Sequence, residues 1–213
     1  MRHFKKISFI AFVLLVVWMV MDIYYPLQRN LRVINAPETA RLDAAMWRSY
    51  YEKKKTKLFF QSAELLRTEF HFPYWRSLKT AYYAARAAFI FKDGKSRADY
   101  DKALPCLTSY FEEISSISNT AFDAPTAARQ ELEWWIIRRY RQQHPPAEWE
   151  AYLAATASAM YHLPAEKFKD YARLRVQAML LRDDKEKNIT EADWLEIERL
   201  LNLAWQSFGD QLS

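Results

Sequence analysis

A chain of 213 residues is long enough for one globular domain and one additional segment. Its 51% hydrophobic and 16% aromatic content excludes a disordered chain, and only 2 glycines leave little material for β-turns, which predicts an all-α protein. The 31 basic and 26 acidic residues fall to 28 and 25 once Arg2, Lys5, Lys6 and Asp22 of the N-terminal segment are set aside. This near balance is not that of a nucleic-acid-binding surface, so we expect no nucleic acid partner.

The N-terminal segment is apolar from Ile7 to Met21, with only Ser8 interrupting the run. A helix over residues 7–25 would be about 28 Å long, close to the thickness of the hydrocarbon core of a bilayer. Trp18 and Tyr24 lie toward its far end, where interfacial aromatic residues are expected. The pattern predicts a transmembrane helix over residues 7–25.

The charges around this segment predict its orientation. Three basic residues precede it, and Arg29 and Arg32 follow it. The positive-inside rule then places residues 1–6 in the cytoplasm and the rest on the periplasmic or extracellular side. Residues 22–30 offer no small-x-small cleavage site, which favours an uncleaved signal anchor over a cleaved signal peptide. A cleaved signal peptide and the reversed orientation remain alternatives.

A linker over residues 26–36 and a helical domain over residues 37–213 are predicted to follow. Periodic apolar stretches predict about seven helices, joined by short loops in an up-down bundle or a stack of helical hairpins. The first is expected to run from Pro37 to Glu69. The third contains Pro105, so its first turn is expected to be either separate or kinked. Five of these stretches open with a proline, a residue that the first turn of a helix tolerates: Pro37, Pro73, Pro125, Pro146 and Pro164.

The sequence contains no motif for a cofactor, a metal ion or catalysis. In an up-down bundle His71 and His162 would share one end and His144 would lie at the other, so these histidines predict no metal site. Two distant glycines exclude a phosphate-binding loop. Cys106, the only cysteine, lies in an apolar context and is predicted to be a core residue.

Four charged residues are candidates for an internal polar site. Glu131 and Arg138 fall on one line of a helix with large apolar neighbours, and Arg175 and Arg182 fall in the middle of the apolar face of another. An isolated buried charge is very costly, so we expect Glu131 to pair with Arg175 or Arg182. Three interpretations remain open: an internal ion-pair network, arginines that extend to solvent, and a pocket for a small anionic ligand.

Two functions are compatible with these features. The leading hypothesis is a membrane-anchored scaffold or protein-interaction subunit of the cell envelope, because no catalytic set is present and 8 tryptophans and 13 tyrosines can supply interface residues. The alternative is a ligand-binding helical bundle or enzyme with an arginine-rich pocket, formed by the four charged residues, for a small anionic ligand.

Overall fold

The computed structural model describes residues 2–212, with the side chains of residues 6–186 and 188–212. Within this range it contains no β-strand, which confirms the predicted all-α fold. The helices are α1 (Arg2–Tyr24), α2 (Ala36–Tyr51), α3 (Lys55–Glu69), α4 (Tyr74–Asp93), α5 (Arg97–Asp101), α6 (Leu104–Ile117), α7 (Ala124–Arg139), α8 (Pro146–Tyr161), α9 (Lys169–Lys185) and α10 (Glu191–Leu212). Short 3₁₀ helices precede and follow α9 at Ala165–Phe168 and Glu186–Asn188.

The helices after α1 form a ring of antiparallel hairpins. Each long helix packs mainly against the next in the chain, with α4 followed by α6 because α5 is only one turn long. The last helix, α10, returns to pack against α2 and closes the ring. We call the end where residues 25–35 lie the anchor end and the opposite end the far end. α2 begins at the anchor end, and α3, α6, α8 and α10 finish there.

Two of the predicted helices are each divided in two. The predicted helix from Pro37 to Glu69 is wrong as a single element, because the chain reverses at Lys53, whose φ of 59° is left-handed and incompatible with a continuing helix. The stretch around Pro105 is divided into α5 and α6, and Pro105 occupies the first turn of α6, where its missing N–H removes no helical hydrogen bond. The ring therefore contains more and shorter helices than the sequence predicted.

Aromatic side chains hold the closing helix in place. The ring of Phe208 on α10 lies 5.2 Å from Tyr161, 5.2 Å from Phe168, 4.7 Å from Tyr171 and 5.3 Å from Trp205, centroid to centroid. Such pairs add about 0.5–1.5 kcal/mol each beyond the burial of apolar area. The contacts join α8, α9 and α10, so the packing of α10 on the two preceding helices is part of the core.

The segment that precedes α2 covers the anchor end of the ring. Leu31 is only 3% exposed and belongs to the core. The backbone of Arg29 pairs with the α6–α7 connection, donating to the carbonyl of Ile117 over 2.6 Å and accepting from Asn119 over 2.8 Å. Arg32 Nη2 donates to the carbonyl oxygen at the end of α8 over 3.0 Å. The predicted linker is therefore packed against the helices on several sides.

Only one helix in the described range is long and apolar enough to cross a membrane, over Lys6–Tyr24, and none of this window is buried. A signal sequence near the N-terminus would share these properties. The end of α1 packs on the start of α4. The ring of Trp18 lies 6.4 Å from that of Tyr74 and 5.7 Å from that of Trp75, and Lys79 Nζ lies 5.7 Å from the ring centre of Tyr24.

Candidate functional site

The centre of the ring contains a buried ion pair between α2 and α9. Arg175 Nη1 donates to Asp43 Oδ2, and the indole N–H of Trp205 donates to the same oxygen over 2.9 Å. The guanidinium also lies 5.5–5.7 Å from the ring centres of Trp47, Tyr171 and Trp205. Burial disfavours the charge on Arg175, but the interactions with Asp43, Tyr171 and Glu69 together outweigh this and raise the pKa of Arg175.

Glu131 does not form the ion pair that the sequence predicted. It makes no ion pair within 4.0 Å in the described part of the chain, and its Oε1 accepts a hydrogen bond from the indole N–H of Trp135 over 2.9 Å. Burial raises the pKa of Glu131, while Trp134, Trp135 and the charge of Arg175 act in the opposite direction. The expected pairing with Arg175 or Arg182 is wrong, because Asp43 takes the position next to Arg175.

The two remaining candidate arginines lie at the far end of the ring. Arg138 Nη2 donates to Asp183 Oδ1 over 2.9 Å and to the hydroxyl oxygen of Tyr51 over 3.0 Å, which connects α7 with α9 and α2. The guanidinium of Arg182 lies 3.8 Å from the centre of the Tyr51 ring. The four predicted residues thus do not form one network: Arg138 and Arg182 lie together at the far end, whereas Arg175 and Glu131 have other direct partners, Asp43 and Trp135.

Among the buried polar side chains that have no partner in the described part of the chain are two that the sequence did not single out. Glu69, the last residue of α3, is only 7% exposed, and no described group forms a hydrogen bond or ion pair with its carboxyl. Tyr161, the last residue of α8, is 4% exposed, and its hydroxyl has no hydrogen-bond partner among the described residues. Burial, and then the charge of Asp43, raise the pKa of Glu69 to about 8, although Arg175 opposes this.

Four side chains in the middle of the ring are only partly buried. Tyr110, Glu131, Tyr171 and Arg175 keep part of their surface accessible, yet burial is the largest influence on the pKa of each. This combination is expected where side chains border an internal space large enough for water. We call the following residues the interior cluster: Asp43, Glu69, Tyr110, Glu131, Tyr161, Tyr171 and Arg175.

The charge of the interior cluster does not favour an anionic ligand. The cluster contains three carboxyl groups and one guanidinium, whose Nη1 is paired with Asp43 and whose Nε has no partner among the described residues. A surface cleft of about 390 Å³ near the far end is also mainly acidic. Its charged lining residues are Arg141, Asp183, Asp184 and Glu186.

The histidines make structural hydrogen bonds. The Nε2–H groups of His71 and His162 donate to backbone carbonyls of residues 33 and 121, over 2.8 and 2.9 Å, at the anchor end. His144 Nδ1 lies 2.7 Å from a carboxylate oxygen of Glu148 at the far end. This confirms the predicted distribution of the three histidines. Across the described residues, no group of three or more His, Cys, Asp and Glu side chains is arranged to hold a metal ion.

Comparison with family models, with curated proteins and with solved structures finds no match for this chain.

Proposed function

We propose that this protein is a membrane-anchored interaction subunit of the cell envelope, in which α1 is retained and holds the ring in a fixed orientation. The observation that carries this proposal is the contact between α1 and α4. Asp22 Oδ2 accepts hydrogen bonds from the backbone N–H groups of Trp75 over 2.6 Å and Arg76 over 3.3 Å. The residue before α4 is Pro73, whose side chain cannot cap the helix, so α1 supplies the cap.

Retention of α1 follows from this use of its residues. Cleavage of α1 as a signal peptide would remove Asp22 from the start of α4 and Trp18 from the rings of Tyr74 and Trp75. A passive tether needs no such contacts. We therefore infer an uncleaved signal anchor, with residues 1–6 in the cytoplasm and the ring on the periplasmic or extracellular side, as the charges around α1 favour.

The outer face of α4 is the proposed binding surface. Residues 75 and 79 contact α1, and the same side of the helix continues through Tyr82, Arg86 and Phe89, at helical spacings of three and four residues. Tyr82 is 53% and Phe89 49% exposed, and Lys55 Nζ lies 5.6 Å from the centre of the Phe89 ring. Half-exposed aromatic side chains beside basic groups are typical of interface residues.

The partner proposed for this surface is another membrane protein. Because the surface continues from the contact between α1 and α4, a helix that runs along α1 as it leaves the bilayer would pack on it next. The basic side chains of Lys55 and Arg86 favour an acidic partner segment.

A photo-crosslinking experiment on the full-length protein in its own membrane tests this proposal. A photoreactive phenylalanine analogue replaces Tyr82 in one variant and Leu195 in a control. Leu195 is 67% exposed on α10. We expect one discrete product from position 82, formed with a membrane protein, and none from position 195. The double variant Tyr82→Ser/Phe89→Ser should lose the companion that co-purifies with the parent protein, and Leu195→Ser should retain it.

Two results would contradict the proposal. One is co-purification of the same companion with the double variant, which would place the interface elsewhere. The other is a mature protein whose mass shows loss of residues 1–26, because the contact between Asp22 and α4 cannot then form.

A further inference from the structure

We propose that the interior cluster binds a small organic ammonium ion, with Glu69 as its counter-ion and the tyrosines of the cluster as its walls. Nothing in the interaction function above requires such a site, and the two proposals are independent.

Buried polar groups in folded proteins are almost always hydrogen-bonded, so several unpaired ones near each other call for an explanation. The Glu69 carboxyl and the Tyr161 hydroxyl have no described partner. Oγ1 of the fully buried Thr39, one turn before Asp43 on the same side of α2, also has none. The ionised carboxylate can only accept, whereas the two hydroxyls can both accept and donate, so a group with several N–H donors can complete all three.

The charge of the cluster favours a positively charged ligand over a negatively charged one. Asp43 is neutralised by Arg175, which leaves Glu69 and Glu131 without a counter-ion. Of these, Glu131 already accepts a hydrogen bond from Trp135, so Glu69 is the less satisfied group. A cation beside Glu69 would let that buried carboxyl ionise, whereas an anion would add a third unpaired negative charge.

The surroundings favour an organic cation over a metal ion. Metal binding needs several ligating side chains, and no group of three suitable residues is present within residues 2–212. Aromatic rings instead surround the cluster. The rings of Trp47, Tyr171 and Trp205 lie 5.5–5.7 Å from the guanidinium of Arg175, which shows that this interior accommodates a cation among aromatic rings. A primary ammonium has three donors for the unpaired oxygens.

Binding should depend on pH through Glu69. The charges of Asp43 on α2 and Arg175 on α9 act on the pKa of this carboxyl. The charge of Glu69 in turn raises the pKa of three tyrosines, which are Tyr110 on α6, Tyr161 on α8 and Tyr171 on α9. On the neighbouring α4, Arg76 is paired with Glu113. With a pKa of about 8, Glu69 is mostly neutral at pH 6 and mostly ionised at pH 9. An ammonium ion that requires the ionised form should bind more weakly at pH 6 by at least about tenfold.

The test uses the full-length protein in non-ionic detergent and n-butylammonium chloride as the probe. Alkylammonium ions resemble the lysine side chain, whose pKa is about 10.4, so the probe stays charged at pH 9. Binding is followed by tryptophan fluorescence at constant ionic strength, and 1-butanol is the uncharged control of similar size. The variant Glu69→Gln removes the charge and keeps the shape. Glu64→Gln is the matched control, because Glu64 is exposed on the same helix.

We expect a saturable response to n-butylammonium at pH 9, a loss of affinity of at least about tenfold at pH 6 and in Glu69→Gln, and unchanged binding in Glu64→Gln. Circular dichroism establishes that Glu69→Gln is folded. Tyr161→Phe provides a second, uncharged variant and should also weaken binding. The proposal is overturned by the absence of a saturable response at pH 9, which would mean that the interior groups are only hydrated. An equal response to 1-butanol, or unchanged affinity in Glu69→Gln, would overturn it as well.

Discussion

Asp22, near the end of α1, accepts a hydrogen bond of 2.6 Å from the backbone N–H of Trp75 at the start of α4, 53 residues later in the chain. A carboxylate in this position satisfies a free donor of the first helical turn and interacts favourably with the positive end of the helix dipole. Helix α1 is thus joined to the ring by a specific polar contact as well as by aromatic packing. Removing the carboxylate therefore measures how much this polar contact contributes to the stability of the start of α4.

Asp22→Ala should weaken the start of α4 by about 0.5–2 kcal/mol, the usual cost of losing a helix cap. The measurement is hydrogen exchange of the full-length protein in detergent, in which the amide protons of Trp75 and Arg76 should exchange faster. Glu112→Ala is the control, because Glu112 is exposed on α6. Equal exchange at residues 75 and 76 in the parent and Asp22→Ala would show that aromatic packing alone holds α1.

The buried pair of Asp43 and Arg175 should be the most sensitive polar contact in the ring. Asp43→Ala leaves the Arg175 guanidinium buried without its counter-ion and should reduce the free energy of unfolding by about 3–5 kcal/mol. Glu131→Gln should cost less than about 1 kcal/mol, because glutamine still offers an acceptor to the Trp135 indole. Chemical denaturation followed by circular dichroism measures both.

A double-mutant cycle separates the pair from its surroundings. Asp43→Ala combined with Arg175→Met should be less destabilised than the sum of the two single variants, with a coupling energy of about 0.5–3 kcal/mol. Additive effects would show that the two charges do not depend on each other in the folded protein.

The sequence predicted the helical class well because its signals are local. Apolar periodicity and first-turn prolines such as Pro125 and Pro146 indicate helices without reference to the rest of the chain, and both occupy that position in the structure. The break at Lys53 was missed because helix ends of this kind usually carry glycine, whereas this chain places lysine and histidine in the left-handed region there.

The candidate site was predicted only in part, because it depends on which helices meet. Arg175 was correctly expected to need a partner, but its partner Asp43 lies 132 residues earlier and reaches it through the closure of α10 on α2. Asp43 lies between Leu42 and Ala44, an apolar context that was the available signal. No local pattern marks Glu69, which ends its helix as exposed glutamates commonly do.

Glu69 should make the stability of the protein depend on pH. Its pKa is about 8 in the folded protein, against about 4.3 for an unperturbed glutamate, so the folded state binds the proton more tightly than the unfolded state. The contribution of Glu69 to the free energy of unfolding is therefore complete below about pH 4 and is lost as the pH rises toward 8. Between these values the free energy of unfolding falls by up to about 1.4 kcal/mol per pH unit.

The measurement is denaturant unfolding of the parent protein and Glu69→Gln at pH 5, 7 and 9, without ammonium ions. Because glutamine does not titrate, the parent should lose stability relative to Glu69→Gln as pH rises. Glu64→Gln, which changes an exposed carboxylate, should follow the parent. A difference between the parent and Glu69→Gln that is constant across the three pH values would mean that Glu69 titrates normally.

The turn between α2 and α3 should be stabilised by glycine. Lys53 has a φ of 59°, a conformation that costs an L-residue about 1–2 kcal/mol and that glycine adopts freely. Lys53 is exposed, so replacing its side chain removes no buried contact. Lys53→Gly should therefore raise the free energy of unfolding by up to about 1 kcal/mol, even after the greater entropy of glycine in the unfolded chain is counted. Lys57→Gly is the matched control, because it lies within α3 and should cost about 1 kcal/mol. Destabilisation of similar size in both variants would mean that α2 and α3 continue as one helix through Lys53.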